Sequence, residues 1–110
     1  MTDHVELIPG TLDLMVLKTL SLTPLHGVAI ADRIEQVTKG VFAIGPGSLF
    51  PSLHRLTRKG WIEGEWIVLD DGRRIKTYRL TAAGRSQLTL EKRNWRTIIN
   101  AMERILTEEA

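Results

Sequence analysis

The chain has 110 residues, 43% of them hydrophobic, a formal charge of +2 and no cysteine; that size builds one core and leaves no room for a separate ligand-binding domain. Without thiols there is no disulfide framework, thiolate metal site or cysteine nucleophile. The histidines at positions 4, 26 and 54 have neither metal-ligand spacing nor a carboxylate at a recognisable interval, and no phosphate-binding glycine loop or nucleophile elbow is present, so enzymes and bound cofactors are not expected.

The opening MTDHVELIPG carries two acids and no Lys or Arg, unlike a signal peptide, and no apolar run approaches the ~20 residues of a spanning helix. A cytoplasmic protein with no membrane partner is the expectation. No internal repeat or low-complexity tract interrupts the chain.

The first predicted helix takes Thr11 as its N-cap and reaches about Leu22. Leu12, Leu14, Met15, Val16, Leu17, Leu20 and Leu22 leave only Asp13, Lys18, Thr19 and Ser21 polar, too apolar a surface for a helix with one wet face. One side then packs on the domain and the other, including Leu14 and Leu17, on a partner chain; the alternative is complete burial within one domain. His26-Gly27 opens a second helix, with Ile30, Ile34 and Val37 inward and Asp32, Arg33, Glu35 and Gln36 outward. His26 reads as a capping or turn residue there.

From Pro46 to Gly60 the cations are Arg55, Arg58 and Lys59, with His54 among them, and no acid interrupts. A duplex backbone rewards that distribution. A helix here packs through Leu49, Leu53 and Leu56, which predicts an outward face of Ser48, Ser52, Arg55 and Lys59. Ser48 is the preferred N-cap because it leaves Pro51 in the first turn, where its missing N–H costs nothing; Pro46 as first helical residue is the alternative start. Either start leaves free donors suited to phosphate.

Gly60 stands where a left-handed cap ends this helix. Strands follow over Trp61 to Leu69 and Ile75 to Leu80, joined through Asp71-Gly72, a strong hairpin signal. The turn sets Arg73 and Arg74 at its tip with Lys76 behind, placed to reach a backbone or a narrow minor groove; taken alone, Arg73 and Arg74 read equally well as a solvated turn. The basic helix plus hairpin looks like a winged helix-turn-helix.

The last predicted helix is capped by Thr81 and runs to about Thr107. Leu88, Trp95 and Met102 recur every seven residues, as do Ile98 with Ile105 and Ile99 with Leu106, an apolar seam on a helix roughly 39 Å long. Such a helix outreaches its own core and is expected to pair with a second copy.

Four segments resemble the PadR family of bacterial transcriptional regulators: PGTLDLMVLKTL from Pro9, PLHGVAIADRIE from Pro24, GSLFPSLHRLTRKGWIE from Gly47 and RRIKTYRLTAAG from Arg73. The resemblance implies a homodimeric winged helix-turn-helix repressor with its third helix in the major groove, a wing beside it and a C-terminal dimerisation helix. Phe50 stands where relatives commonly carry Tyr, so that position either packs or makes an apolar DNA contact; Tyr78 keeps the family residue and reads as packing under the wing. Some relatives release DNA when a phenolic acid or flat aromatic compound binds near the dimer interface, where Trp95 of two copies can approach and stack, although a plain packing role is the preferred reading of Trp95.

The expected fold is therefore mainly α with a small β-hairpin (α+β): a winged helix-turn-helix over residues 1–80 and a dimerisation helix over 81–110, in one compact domain. Ser48, Phe50, Ser52, His54, Arg55, Lys59, Arg73, Arg74 and Lys76 are the candidate contacts to double-stranded DNA bearing a short inverted repeat; the alternative is a winged-helix module that docks another protein, a face that would not need so many cations on one side. Leu14, Leu17, Leu88, Trp95, Ile98, Ile99, Met102 and Ile105 are the candidate homodimer contacts, and Trp95 the candidate contact to a small aromatic inducer.

Overall fold

A computed structural model describes residues 6–8 and 10–109; His4, and Pro9 at the head of the first family-like segment, lie outside them. The elements run α1 (Thr11–Leu20), β1 (Leu25–His26), α2 (Gly27–Val37), α3 (Pro46–Arg58), β2 (Ile62–Val68), β3 (Arg74–Leu80) and α4 (Ala82–Thr107). The strands form one antiparallel sheet in the order β1-β3-β2. The α+β expectation holds, with one addition: the two-residue β1 pairs Leu25 with Tyr78 and His26 with Thr77, too short to leave a periodic signal.

One core unites the elements. Leu12, Val16, Leu17 and Leu20 from α1 meet Ile30 and Ile34 from α2, and Leu49, Leu53 and Leu56 from α3. Ile62, Tyr78 and Leu88 close it from the sheet and the base of α4. Tyr78 is buried beneath the wing as expected. Leu17 and Leu88 are 1% and 6% exposed, which corrects their assignment to a dimer seam: both are spent on the protomer's own core. Val37, expected inward, is 65% exposed, because α2 makes its core contacts through Ile30 and Ile34 and its last turn overhangs them.

The helix ends show which sequence signals act. Gly10, at φ +88°, caps α1 without a side-chain bond; the Thr11 hydroxyl instead donates backward to the Ile8 carbonyl at 2.6 Å, so Thr11 is the first helical residue and not the cap. The helix stops at Leu20, two residues before the expected end, and Leu22 is exposed. His26 occupies the N-cap position of α2 but its side chain caps nothing.

Helix α3 starts at Pro46 with Gly45 as cap, so Ser48 lies inside the first turn and Pro51 in the second. Pro46 supplies the preset φ and sacrifices only an orphan donor. Pro51 is tolerated because the carbonyl it leaves without an N–H belongs to exposed Gly47, open to solvent. At the other end Gly60, at φ +74°, closes the helix as expected. The Trp61 N–H reaches the Leu56 carbonyl and the Gly60 N–H the Thr57 carbonyl, both at 3.0 Å, the paired bonds of a Schellman motif.

Helix α4 begins as predicted: the Thr81 hydroxyl accepts from the Gly84 N–H at 3.0 Å and donates to the Gly60 carbonyl at 2.6 Å. It then runs 26 residues. Its first turns join the core through Leu88, it packs along α1, and its C-terminal half stands clear, with the whole described chain measuring 63 × 36 × 21 Å.

Candidate nucleic-acid interface

The outward face of α3 differs from the expected one. Leu49, Leu53, Leu56 and also Ser52 are buried, Ser52 completely. Turning 100° per residue, the direction opposite those four falls on Gly47, Pro51, His54 and Arg58, all exposed. Ser48, Arg55 and Lys59 flank that face on one side, and Phe50, 44% exposed, on the other. The Phe50 ring lies 3.4 Å from where a Cβ on Gly27 would sit, so its inner edge packs on the start of α2 while the rest meets solvent.

Ser52 turns inward because α1 offers it a partner. Its hydroxyl donates to Asp13 Oδ1 at 2.6 Å, while Arg55 donates through Nε to Oδ2 at 3.2 Å and through Nη2 to Oδ1 at 2.8 Å. A single carboxylate on α1 thus clamps two consecutive turns of α3. The hydrogen bond to Asp13, reinforced by its charge and only partly offset by desolvation, holds the Arg55 guanidinium protonated even more firmly than usual. Ser52 is withdrawn from any direct contact with a ligand outside α3; its role is to position.

The wing sorts its three cations. Between β2 and β3 the Leu69 N–H bonds the Arg73 carbonyl and the Gly72 N–H the Leu69 carbonyl. Gly72 at φ +86° thereby completes a three-residue turn. Asp71 accepts from the Arg73 backbone N–H at 3.0 Å and from its Nε at 2.6 Å, with both side chains largely in water. Arg74 instead lies over the Trp66 ring, 5.0 Å from its centroid, with Lys76 at 5.8 Å from the same ring and 5.6 Å from that of Tyr78.

Register explains the cluster. Trp66 pairs with Lys76 and Gly64 with Tyr78, so Trp66, Arg74 and Lys76 continue the sheet's core face beyond the core. Gly64 makes the room: a Cβ there would come within 2.5 Å of Lys76 Cε. The result is a 57% exposed indole roofed by two cations. On the opposite face Glu63 and Arg79 form an ion pair.

Sequence reasoning missed Asp13, Trp66 and Gly64 as parts of this surface, and it counted Arg58 among the helix's cations without placing it on the outward face. Arg58 was findable: centring the helical wheel on the three buried leucines puts it directly outward. Trp66 follows from counting strand register back from the turn. Asp13 was visible as the lone acid in an apolar helix, but its partners lie 39 and 42 residues away.

Helix α4 leaves Ile98, Ile99, Met102, Ile105 and Leu106 between 41% and 71% exposed. Trp95, half-buried, stands between two apolar hollows. One, of about 400 Å³, runs between α1, α2 and α4 past Met15, Ile34 and Val37; the other, of about 500 Å³, lies between the start of α1 and α4 past Ile98 and Met102. Leu14 lines both. Among the described residues no cluster of three metal-ligating side chains occurs, and no helix is long and apolar enough to cross a membrane.

Three packed helices, a hairpin wing following the third, and a long C-terminal helix define the winged helix-turn-helix of transcription regulators. Residues 16–90 match the sequence profile described as the transcriptional regulator PadR-like family, and the chain belongs to that family. The transcriptional regulator Rv3488 of Mycobacterium tuberculosis is 39% identical over 59 residues, a match covering 54% of each chain, so the similarity spans about half the length of that relative. A PadR family regulator from Clostridium difficile superposes with a TM-score of 0.77 at 26% identity, over 88% of this chain and 99% of that one. One from Eggerthella lenta gives 0.80 at 25%, over 91% and 85%.

Proposed function

We propose that the protein is a cytoplasmic, homodimeric repressor that binds double-stranded DNA, with α3 in the major groove and the wing on the flanking backbone. The observation that carries the reading is the acid-free outward surface of α3, with His54, Arg55, Arg58 and Lys59, followed by a wing that holds Arg74 and Lys76 over Trp66. Phosphates supply most of the affinity for such a surface. Residues 1–80 form the DNA-binding region in this reading and 81–110 the dimerisation helix. Ile98, Ile99, Met102 and Ile105 meet their counterparts, and Leu14 and Trp95 complete the seam from the protomer's body. Two recognition helices related by a two-fold read half-sites about 34 Å apart, so the target is a short inverted repeat.

Footprinting on the protein's own upstream region, with sedimentation of the complex, tests this. A two-fold footprint with two protomers bound is expected; a monomer at micromolar concentration bound to single half-sites refutes it. Within the surface, Arg74→Ala and Lys76→Ala are expected to weaken target and random duplex alike and flatten the salt dependence by about one unit each. His54→Ala and Arg58→Ala are expected to cost the target more. Arg73→Ala has the smaller effect of the wing changes, because Asp71 already offsets its charge.

The reading includes a small aromatic inducer beside Trp95, where hollows open on both sides of the indole. Trp95→Leu is expected to retain dimer and DNA binding while losing release by any planar aromatic compound that releases the wild type. Continued release by the same compound refutes the inducer site.

A further inference from the structure

We infer that Asp13 is a positioning residue that presents Arg55 to a guanine, making the α1–α3 clamp a determinant of sequence preference as well as a tie between helices. This rests on the DNA-binding reading. A guanidinium has two edges that can donate a pair of parallel N–H bonds, the side edge of Nε with one Nη and the end edge of both Nη groups. Asp13 occupies the side edge, taking Nε at 3.2 Å and Nη2 at 2.8 Å. The end edge is left with one N–H from each Nη, the geometry that matches O6 and N7 of guanine in the major groove.

Exposure agrees with this division. The Arg55 side chain is 44% exposed and that of Asp13 20%, so the carboxylate is the more covered partner and the guanidinium keeps open surface while its side edge is taken. The Ser52 hydroxyl, at 2.6 Å from Asp13 Oδ1, fixes the carboxylate in turn. An arginine on a free stem spends rotamer entropy to reach a base, and one held from behind has already spent it. Asp13 thus acts on DNA without touching it, and from a helix outside the recognition element.

The test starts from a duplex that the wild-type protein selects from a randomised pool, compared with a scrambled duplex of equal length. Asp13→Asn is expected to reduce the preference for the selected duplex about tenfold, the scale of one bidentate base contact, with little change on the scrambled one. Asp13→Glu is expected to restore part of it. Independently of any change at Asp13, each guanine of the selected duplex is replaced by 7-deazaguanine, which lacks the N7 acceptor. One position is expected to weaken wild-type binding several-fold and to have no effect on Arg55→Ala.

Equal losses on both duplexes with a flatter salt dependence identify Arg55 as a phosphate contact and overturn the inference. So does a selected duplex in which no 7-deazaguanine effect depends on Arg55. A protein that selects no duplex overturns the DNA-binding reading itself, and this inference with it.

Discussion

Replacing Gly84 by alanine sets two effects of opposite sign against each other. Gly84 is the third residue of α4, and helix propensity alone says that alanine should stabilise the protein by about 1 kcal/mol. The packing says otherwise. A Cβ on Gly84 would lie 1.9 Å from the Trp61 carbonyl oxygen and 2.7 Å from Leu80 Cδ1, whereas carbon and oxygen ordinarily approach to about 3.3 Å. Helix and strand must therefore separate by more than 1 Å at the point where they are most tightly tied. The same Trp61 oxygen accepts the Thr81 N–H at 3.0 Å, and Thr81 bonds Gly60. Losing those two bonds costs about 1 kcal/mol each, and partial exposure of Leu88 one turn on costs a further 1–2 kcal/mol. Net of propensity, Gly84→Ala is expected to destabilise by about 2–3 kcal/mol, which lowers Tm by roughly 10–20 °C for a domain of this size. Thermal unfolding by circular dichroism measures it, at fixed protein concentration because the proposed dimerisation would make Tm concentration-dependent. Gly47→Ala is the control: it too is helical, but nothing lies within 4 Å of its Cβ position, so Tm should hold or rise slightly. A Gly84→Ala protein as stable as the parent refutes the close-approach argument.

Lys39 ends α2 at φ +53° in a Schellman turn, with the Gly40 N–H on the Glu35 carbonyl at 2.8 Å; Lys39→Gly relieves the left-handed strain and should raise stability by about 0.5–1 kcal/mol in denaturant titration. Burial pushes the Tyr78 phenol above its ordinary 10.0. Above that pH the unfolded chain sheds the proton first, so this contribution is intact below pH 10 and is lost as pH rises through the folded value; Tyr78→Phe should show a flatter alkaline decline in Tm. Ile98→Glu with Met102→Glu places two charges on half-exposed seam positions of α4 and should give a monomer in sedimentation at micromolar concentration with its helical circular dichroism retained; a dimer that survives the pair assigns the interface elsewhere.

What the sequence revealed and what it concealed divide by the range of the interaction. Gly60, Thr81 and Gly72 act within a few residues, and each was readable as the backbone feature it forms. The leucine stripe of α3 was readable because its period is internal to the helix. The outward face was misplaced because a buried serine reads as surface until its acceptor is known, and Asp13 is on another helix. Leu17 and Leu88 fitted an apolar seam as well as a core, since periodicity reports which residues share a face and not what the face meets. Of the two helix starts the sequence leaves open, the structure takes Pro46 over the preferred Ser48 cap, because an exposed carbonyl opposite Pro51 makes the second turn as habitable as the first.

Helix α1 links these surfaces mechanically. Its core face is fixed by Leu12, Val16, Leu17 and Leu20, its side bears Asp13 against α3, and Leu14 beside it lines both hollows next to Trp95. The Arg55 Nε bond, at 3.2 Å, has little length to spare: a shift of α1 by about half an ångström away from α3 takes it beyond hydrogen-bonding range. Close-packed cores pass such shifts on instead of absorbing them. A group that displaced α1 through Leu14 would either carry α3 along with it or pull Asp13 from Arg55 and Ser52. The first would alter the spacing of the two α3 helices in the proposed dimer, and the second would release Arg55 from its support. In the proposed inducer site, a ligand beside Trp95 would reach the face of α3 either by carrying α3 with α1 or by loosening the Asp13 carboxylate from Arg55 and Ser52.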